Sequence, residues 1–128
     1  MTHWYPAKTF SLEPFDLIVD WTYEHFSLRD CFDDTVSDIA DMARRCDAGI
    51  DTHYITRVRV LWNGLELGSS SLGSCYAYDC YPEDDIRAGI SGYLDDMIDE
   101  AMDEAQAKIR QMGHQIRLDF PELDTAHA

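Results

Sequence analysis

From Phe15 to Tyr23 the chain alternates. Phe15, Leu17, Val19, Trp21 and Tyr23 take one side, and Asp16, Ile18, Asp20 and Thr22 the other. A period of two over that length predicts a half-buried strand with a polar outer face. The segment HFSLRDCF that follows has no clear period. From Asp34 onward the spacing becomes helical, with Val36, Ile39, Ala40, Ala43 and Cys46 recurring on one face. Thr35 is placed as N-cap with Asp38 at near capping-box spacing, Arg44 and Arg45 suit the last turn, and Gly49 supplies the stop.

His53 to Trp62 reads as a second strand, with Tyr54, Thr56, Val58, Val60 and Trp62 opposite Ile55, Arg57, Arg59 and Leu61. Asn63-Gly64 then predicts a type I′ hairpin, because both central positions of that turn need positive φ. The return strand begins at Leu65, is interrupted by GSSSLGS and resumes as CYAYDCY, so a bulge or loop is expected between Gly68 and Gly73. Arg57 and Arg59 share a face, placed to pair across strands with Glu66 and with Asp16 or Asp20.

Pro82 with Glu83, Asp84 and Asp85 marks another helix start. An apolar stripe follows through Ile86, Ile90, Tyr93, Leu94, Met97, Ile98, Ala101, Ala105, Ile109 and Met112, ending at Gly113. Gly89 and Gly92 weaken its early part, which predicts a break near Ser91 and a firm helix from Tyr93 to Met112. QIRLDF suits a short final edge strand, and residues 121–128 a loose tail. The expected fold is a single α+β domain over residues 1–128, in the order β-α-β-β-α, with two helices on one face of a small, mostly antiparallel sheet.

Charge changes this picture more than composition does. The chain has 25 acids against 10 bases and a net charge of −15, while its apolar content is ordinary for a folded domain. That balance argues against binding nucleic acid directly, since phosphates would be repelled, and against anionic membranes. No apolar run approaches the roughly 18 residues needed to span a bilayer, and no secretory leader is apparent in MTHWYPAKTF, so a cytoplasmic protein is expected. Aspartate dominates the acids and lysine is limited to Lys8 and Lys108, a bias that a salt-adapted protein with no acidic-face partner would also show.

Candidate chemistry is sparse. Cys31, Cys46, Cys75 and Cys80 form no CxxC pair, and small buried hydrophobes fit them better than a zinc site completed by His25, His53 or His114. There is no calcium-loop pattern, no HExxH, no P-loop and no G-x-S-x-G, so neither metal nor cofactor is expected and the chain is read as a non-enzyme.

What remains is the acidity of LDDMIDEAMDEA. Asp95, Asp99 and Asp103 are four apart, as are Asp96, Glu100 and Glu104, which places two acidic ridges side by side on a helix. Successive carboxylates along a ridge lie roughly 6 Å apart. Like charges at that spacing repel by about 0.2–0.5 kcal/mol per pair, a cost that presenting the ridges to a cation would offset. Asp30, Asp33, Asp34, Asp38 and Asp41 of the first helix, with Asp16 and Asp20, extend the acidic surface. Tyr76, Tyr78 and Tyr81 suit either a binding hot spot or packing beneath the long helix.

With LDDMIDEAMDEA, an acidic first helix and no catalytic motif, the chain resembles the small acidic proteins that phages and mobile elements use against host defence, especially DNA-mimicking anti-CRISPR proteins. That resemblance implies stoichiometric blocking of a basic nucleic-acid-binding partner, a CRISPR effector, and leaves the fold open. Immunity proteins that neutralise basic nuclease toxins are similar in the same respects. The residues expected to meet the partner are Asp95, Asp96, Asp99, Glu100, Asp103 and Glu104, with Asp84, Asp85 and Tyr81.

Overall fold

The computed structural model describes residues 2–121. Four antiparallel strands pair in sequence order, β1 (Tyr5–Leu12), β2 (Phe15–Tyr23), β3 (Thr52–Trp62) and β4 (Leu65–Ala77). Two short helices, α1 (Leu28–Cys31) and α2 (Ile39–Asp47), separate β2 from β3. After β4 come α3 (Pro82–Arg87), a tight turn at Ile90–Gly92 and the long helix α4 (Tyr93–Asp119). The class is α+β, as expected, with one more strand and two more helices than the sequence reading assigned.

The core follows the alternation. Leu17, Val19, Trp21, Tyr54, Val58, Val60 and Leu67 are buried on one sheet face, against Ile86 of α3 and Leu94, Met97, Ala101 and Ala105 of α4. The β3–β4 hairpin turns at Asn63 and Gly64, whose φ values of 49° and 82° have the positive sign the Asn-Gly pair predicts. β1 was not expected. It pairs with β2 through the Glu13-Pro14 turn, whose peptide bond is cis, and a bulge between Pro6 and Lys8 breaks its alternation.

GSSSLGS is not a loop. β4 runs unbroken through it, and the irregularity divides into two bulges, one opposite Val60/Leu61 and one opposite Tyr54/Thr56. Gly68 explains why a glycine stands inside the strand, since a Cβ there would lie 2.2 Å from the Ala101 carbonyl oxygen and 2.8 Å from the Ala105 nitrogen. The helix backbone lies directly on the strand backbone at this point, a contact only glycine permits.

Three further expectations are corrected. The helix expected from Asp34 onward is α2, which starts at Ile39 with Asp38 as N-cap, accepting from the Asp41 amide, because Thr35 is held instead by the Asp33 carboxylate. Gly113 does not end α4; the helix runs through QIRLDF to Asp119, just before Pro121, so no final strand forms. Nor do the two expected helices share a face. Phe32, beside α1, packs on His53 and Tyr76, which point away from the core side occupied by Tyr54 and Cys75, so α1 and α2 lie across the sheet from α4. Of the expected loose tail, residues 122–128 lie outside the described residues.

Candidate partner-binding surface

Most acids outside α4 are already engaged. Asp20 is buried on the outer sheet face, where it accepts two hydrogen bonds from Arg57 at 2.7 and 3.1 Å and one from Arg59 at 3.2 Å. Trp4 covers the Arg57 guanidinium at 3.8 Å. This is the cross-strand pairing read from the sequence, with Glu66 only a distant second partner of Arg59 at 4.0 Å. Asp30 caps α1, Asp33 holds Thr35, Asp34 pairs with Arg29, and Asp41 pairs with Arg44. The acids of the first helix therefore serve local structure and do not form one free surface.

Asp51, which the sequence reading passed over, anchors a buried knot. It receives Arg45 in a two-pronged contact at 2.7 and 3.0 Å, the Tyr76 hydroxyl, and the Asp79 amide at 2.7 Å. Burial acts to raise its carboxyl, and the bonds from Arg45, Tyr76 and Asp79 outweigh that, leaving it below the ordinary carboxylate range. Tyr76 is thereby tied down beside α2 and not beneath the long helix. Tyr78 lies exposed with its ring 4.2 Å from the Arg45 guanidinium, and Tyr81 is exposed beside α3.

The acids of α3 divide. Asp84 is exposed, accepting from the Tyr81 amide and pairing with Arg87 at 3.5 Å. Glu83 turns inward to accept from the Trp21 indole at 2.9 Å, and Asp85 turns inward to accept from the buried Tyr54 hydroxyl. Burial, then the Asp85 contact, raise the Tyr54 pKa. Asp85 is thus a fastener between α3 and the core, and among the expected contact residues it is the one the fold withdraws from the surface.

The ridges on α4 are what the structure leaves open. Asp95, Asp96, Asp99, Glu100, Asp103 and Glu104 are all exposed, on the side opposite Leu94, Met97, Ala101 and Ala105. Among the described residues none of them joins an ion pair or a side-chain hydrogen bond. Asp95 and Asp96 sit in the first turn, where the helix dipole favours them; the four beyond have no such support. Tyr93, which the apolar stripe assigned to the core, is 56% exposed at the head of the ridges. Its place directly after Gly92 was the available signal, because the first helical residue has no preceding turn to pack under.

Other chemistry finds little footing. Burial pushes the Cys75 thiol up to about 12 and raises that of Cys80, so both are protonated near neutrality. Among the described residues no three His, Cys, Asp or Glu side chains converge on a point where a metal could sit. No helix is long and apolar enough to cross a membrane. No family model, no curated protein and no solved structure matches this chain.

Proposed function

We propose that this chain is an acidic binding protein that occupies the cationic nucleic-acid channel of another protein, with the α4 ridges standing in for phosphates. One observation carries the reading: six carboxylates lie on one continuous helical face, unpaired among the described residues, in a fold that pairs, caps or buries most of its other acids. A charge surplus needed only for solubility has no reason to concentrate on one face. Two rows of anions at roughly 6 Å spacing offer a groove lined by Lys and Arg much of the field it meets on a nucleic-acid backbone. An anti-CRISPR inhibitor of a CRISPR effector is the form of this activity that the sequence resemblance favours. An immunity protein against a basic nuclease would use the same face.

The test is affinity capture at physiological ionic strength, followed by elution with duplex DNA and, separately, by the paired variant D96K/E100K as competitor. The reading requires a basic nucleic-acid-binding protein that DNA releases and the variant does not. Capture of nothing basic, or release by neither DNA nor salt, would sink it. Target cleavage by a captured effector should fall in proportion to added protein and stop falling at a fixed molar ratio.

A further inference from the structure

Beyond Ala105, the last buried residue of α4, the inward stripe continues through Ile109, Met112 and Ile116, which are exposed. These three side chains, with Pro14 and Phe15 of the first hairpin and Trp62 of the second, line a cleft of about 370 Å³ that is almost wholly apolar. Leu12 pairs with Phe15 and Leu65 with Trp62, so two more exposed leucines flank the same end of the sheet. A contiguous apolar patch of this kind on a strongly charged protein marks an interface.

Charge selects the occupant. Along α4 the stretch Tyr93–Glu104 holds six acids and no base, whereas Lys108 and Arg110, on either side of Ile109, have no acid in the chain between Ala105 and Leu118. The helix end bordering the cleft therefore carries a local surplus of bases in a protein of net charge −15, and the first hairpin opposite it carries the exposed Glu13, next to Pro14 of the cleft wall. Apolar walls with a basic rim on one side and an acidic rim on the other are complementary to themselves under a two-fold rotation. We infer that a second copy of this chain covers the cleft, the two α4 ends crossing antiparallel near Met112 so that each basic helix end meets the other copy's hairpins. At 1.5 Å rise per residue, Glu104, the near end of the ridges, lies about 12 Å from that crossing, which keeps the two acidic ridges about 24 Å or more apart. The Debye length at physiological salt is about 8 Å, so the ridges barely sense one another in this arrangement. Pairing through the acidic half would set them face to face.

Sedimentation equilibrium of the full chain from micromolar to several hundred micromolar decides the matter. The expected result is a reversible rise from 14.7 kDa to twice that mass. M112E and I116E should each raise the dimer dissociation constant by at least about tenfold. Both positions lie beyond the buried part of α4, so the melting temperature of dilute protein should hold. K108E/R110E should weaken the dimer, and adding E13K to that chain should recover part of the loss. A monomer at every concentration overturns the inference, as does a dimer that tolerates M112E and I116E. A dimer broken by D96K/E100K but not by the rim variants also overturns it, because association would then run through the acidic ridges. Partner capture by D96K/E100K is read separately, so either idea can fail alone.

Discussion

Asp51 shows how one side chain can hold three segments together. Its carboxylate joins Arg45 of α2, Tyr76 of β4 and the chain turn at Asp79, with its own side chain fully buried. Asp51→Ala leaves the Tyr76 hydroxyl and the Asp79 amide without their acceptor and should cost about 3 kcal/mol, measured by urea unfolding. The acid dependence has a definite sign. Because the folded carboxyl lies below its unfolded value, its contribution is complete above about pH 4 and is lost as pH falls through the folded value. Wild type should therefore lose stability in that acid window more steeply than Asp51→Asn, a difference that thermal melts across the range would resolve. Nothing in the spacing around Asp51 marks it, since its partners are 6, 25 and 28 residues away in sequence. The same blindness applies to Glu83 and Asp85. Negative charges at a helix start look alike in sequence whether they face water or reach an indole and a phenol.

At the level of elements, periodicity was a good guide where the period was intact. β2, β3, the Asn-Gly turn and the elbow between α3 and α4 were all legible, the last because Gly89 and Gly92 interrupt the stripe. In that elbow Gly89, Ile90, Ser91 and Gly92 all adopt positive φ, between 50° and 93°. β1 was hidden by its own bulge, which shifts the alternation of Tyr5, Phe10 and Leu12 by one residue, and by Pro6, which sits on an edge strand where it is tolerated. The far end of α4 was hidden because Gly113 resembles a stop, and only Pro121 ends the helix. Gly68 misled in the opposite direction, marking a close approach of two backbones and not a gap in the strand. Gly68→Ala should force α4 off β4 and destabilise by about 1–3 kcal/mol, with Gly73→Ala, whose Cβ would meet only the Glu24 carboxylate at 3.4 Å, as the milder control in the same chemical-denaturation series.

For the whole molecule, the acidic ridges were the most legible surface feature and also the least supported locally, so on the proposed reading their reversal should cost binding and not stability. D96K/E100K should lower partner affinity by tenfold or more while leaving the melting temperature nearly unchanged, since relief of repulsion of about 0.2–0.5 kcal/mol per like pair is set against the loss of Asp96 from the first turn. A variant that loses stability yet binds as before would contradict the assignment of this face. Association should also slow as ionic strength rises, measured by stopped-flow, because long-range attraction is what the ridges supply. What the sequence could not convey was the contrast with the other acids, because their commitments to Arg57, Arg45, Trp21 and Tyr54 depend on the fold.

The anchoring of α3 has a mechanical corollary. Glu83 and Asp85 rivet it to Trp21 and Tyr54, and Leu94, Met97, Ala101 and Ala105 bury the first turns of α4, while the turns beyond Ala105 bury no side chain. The helix is thus a cantilever, clamped at its acidic root and compliant at its basic tip. In dilute solution, amide hydrogens from Met97 to Ala105 should exchange far more slowly than those from Gln111 to Leu118. On the proposed reading, a charge pattern displayed on the stiff half keeps its spacing before a partner arrives, so little ordering entropy would be lost on capture.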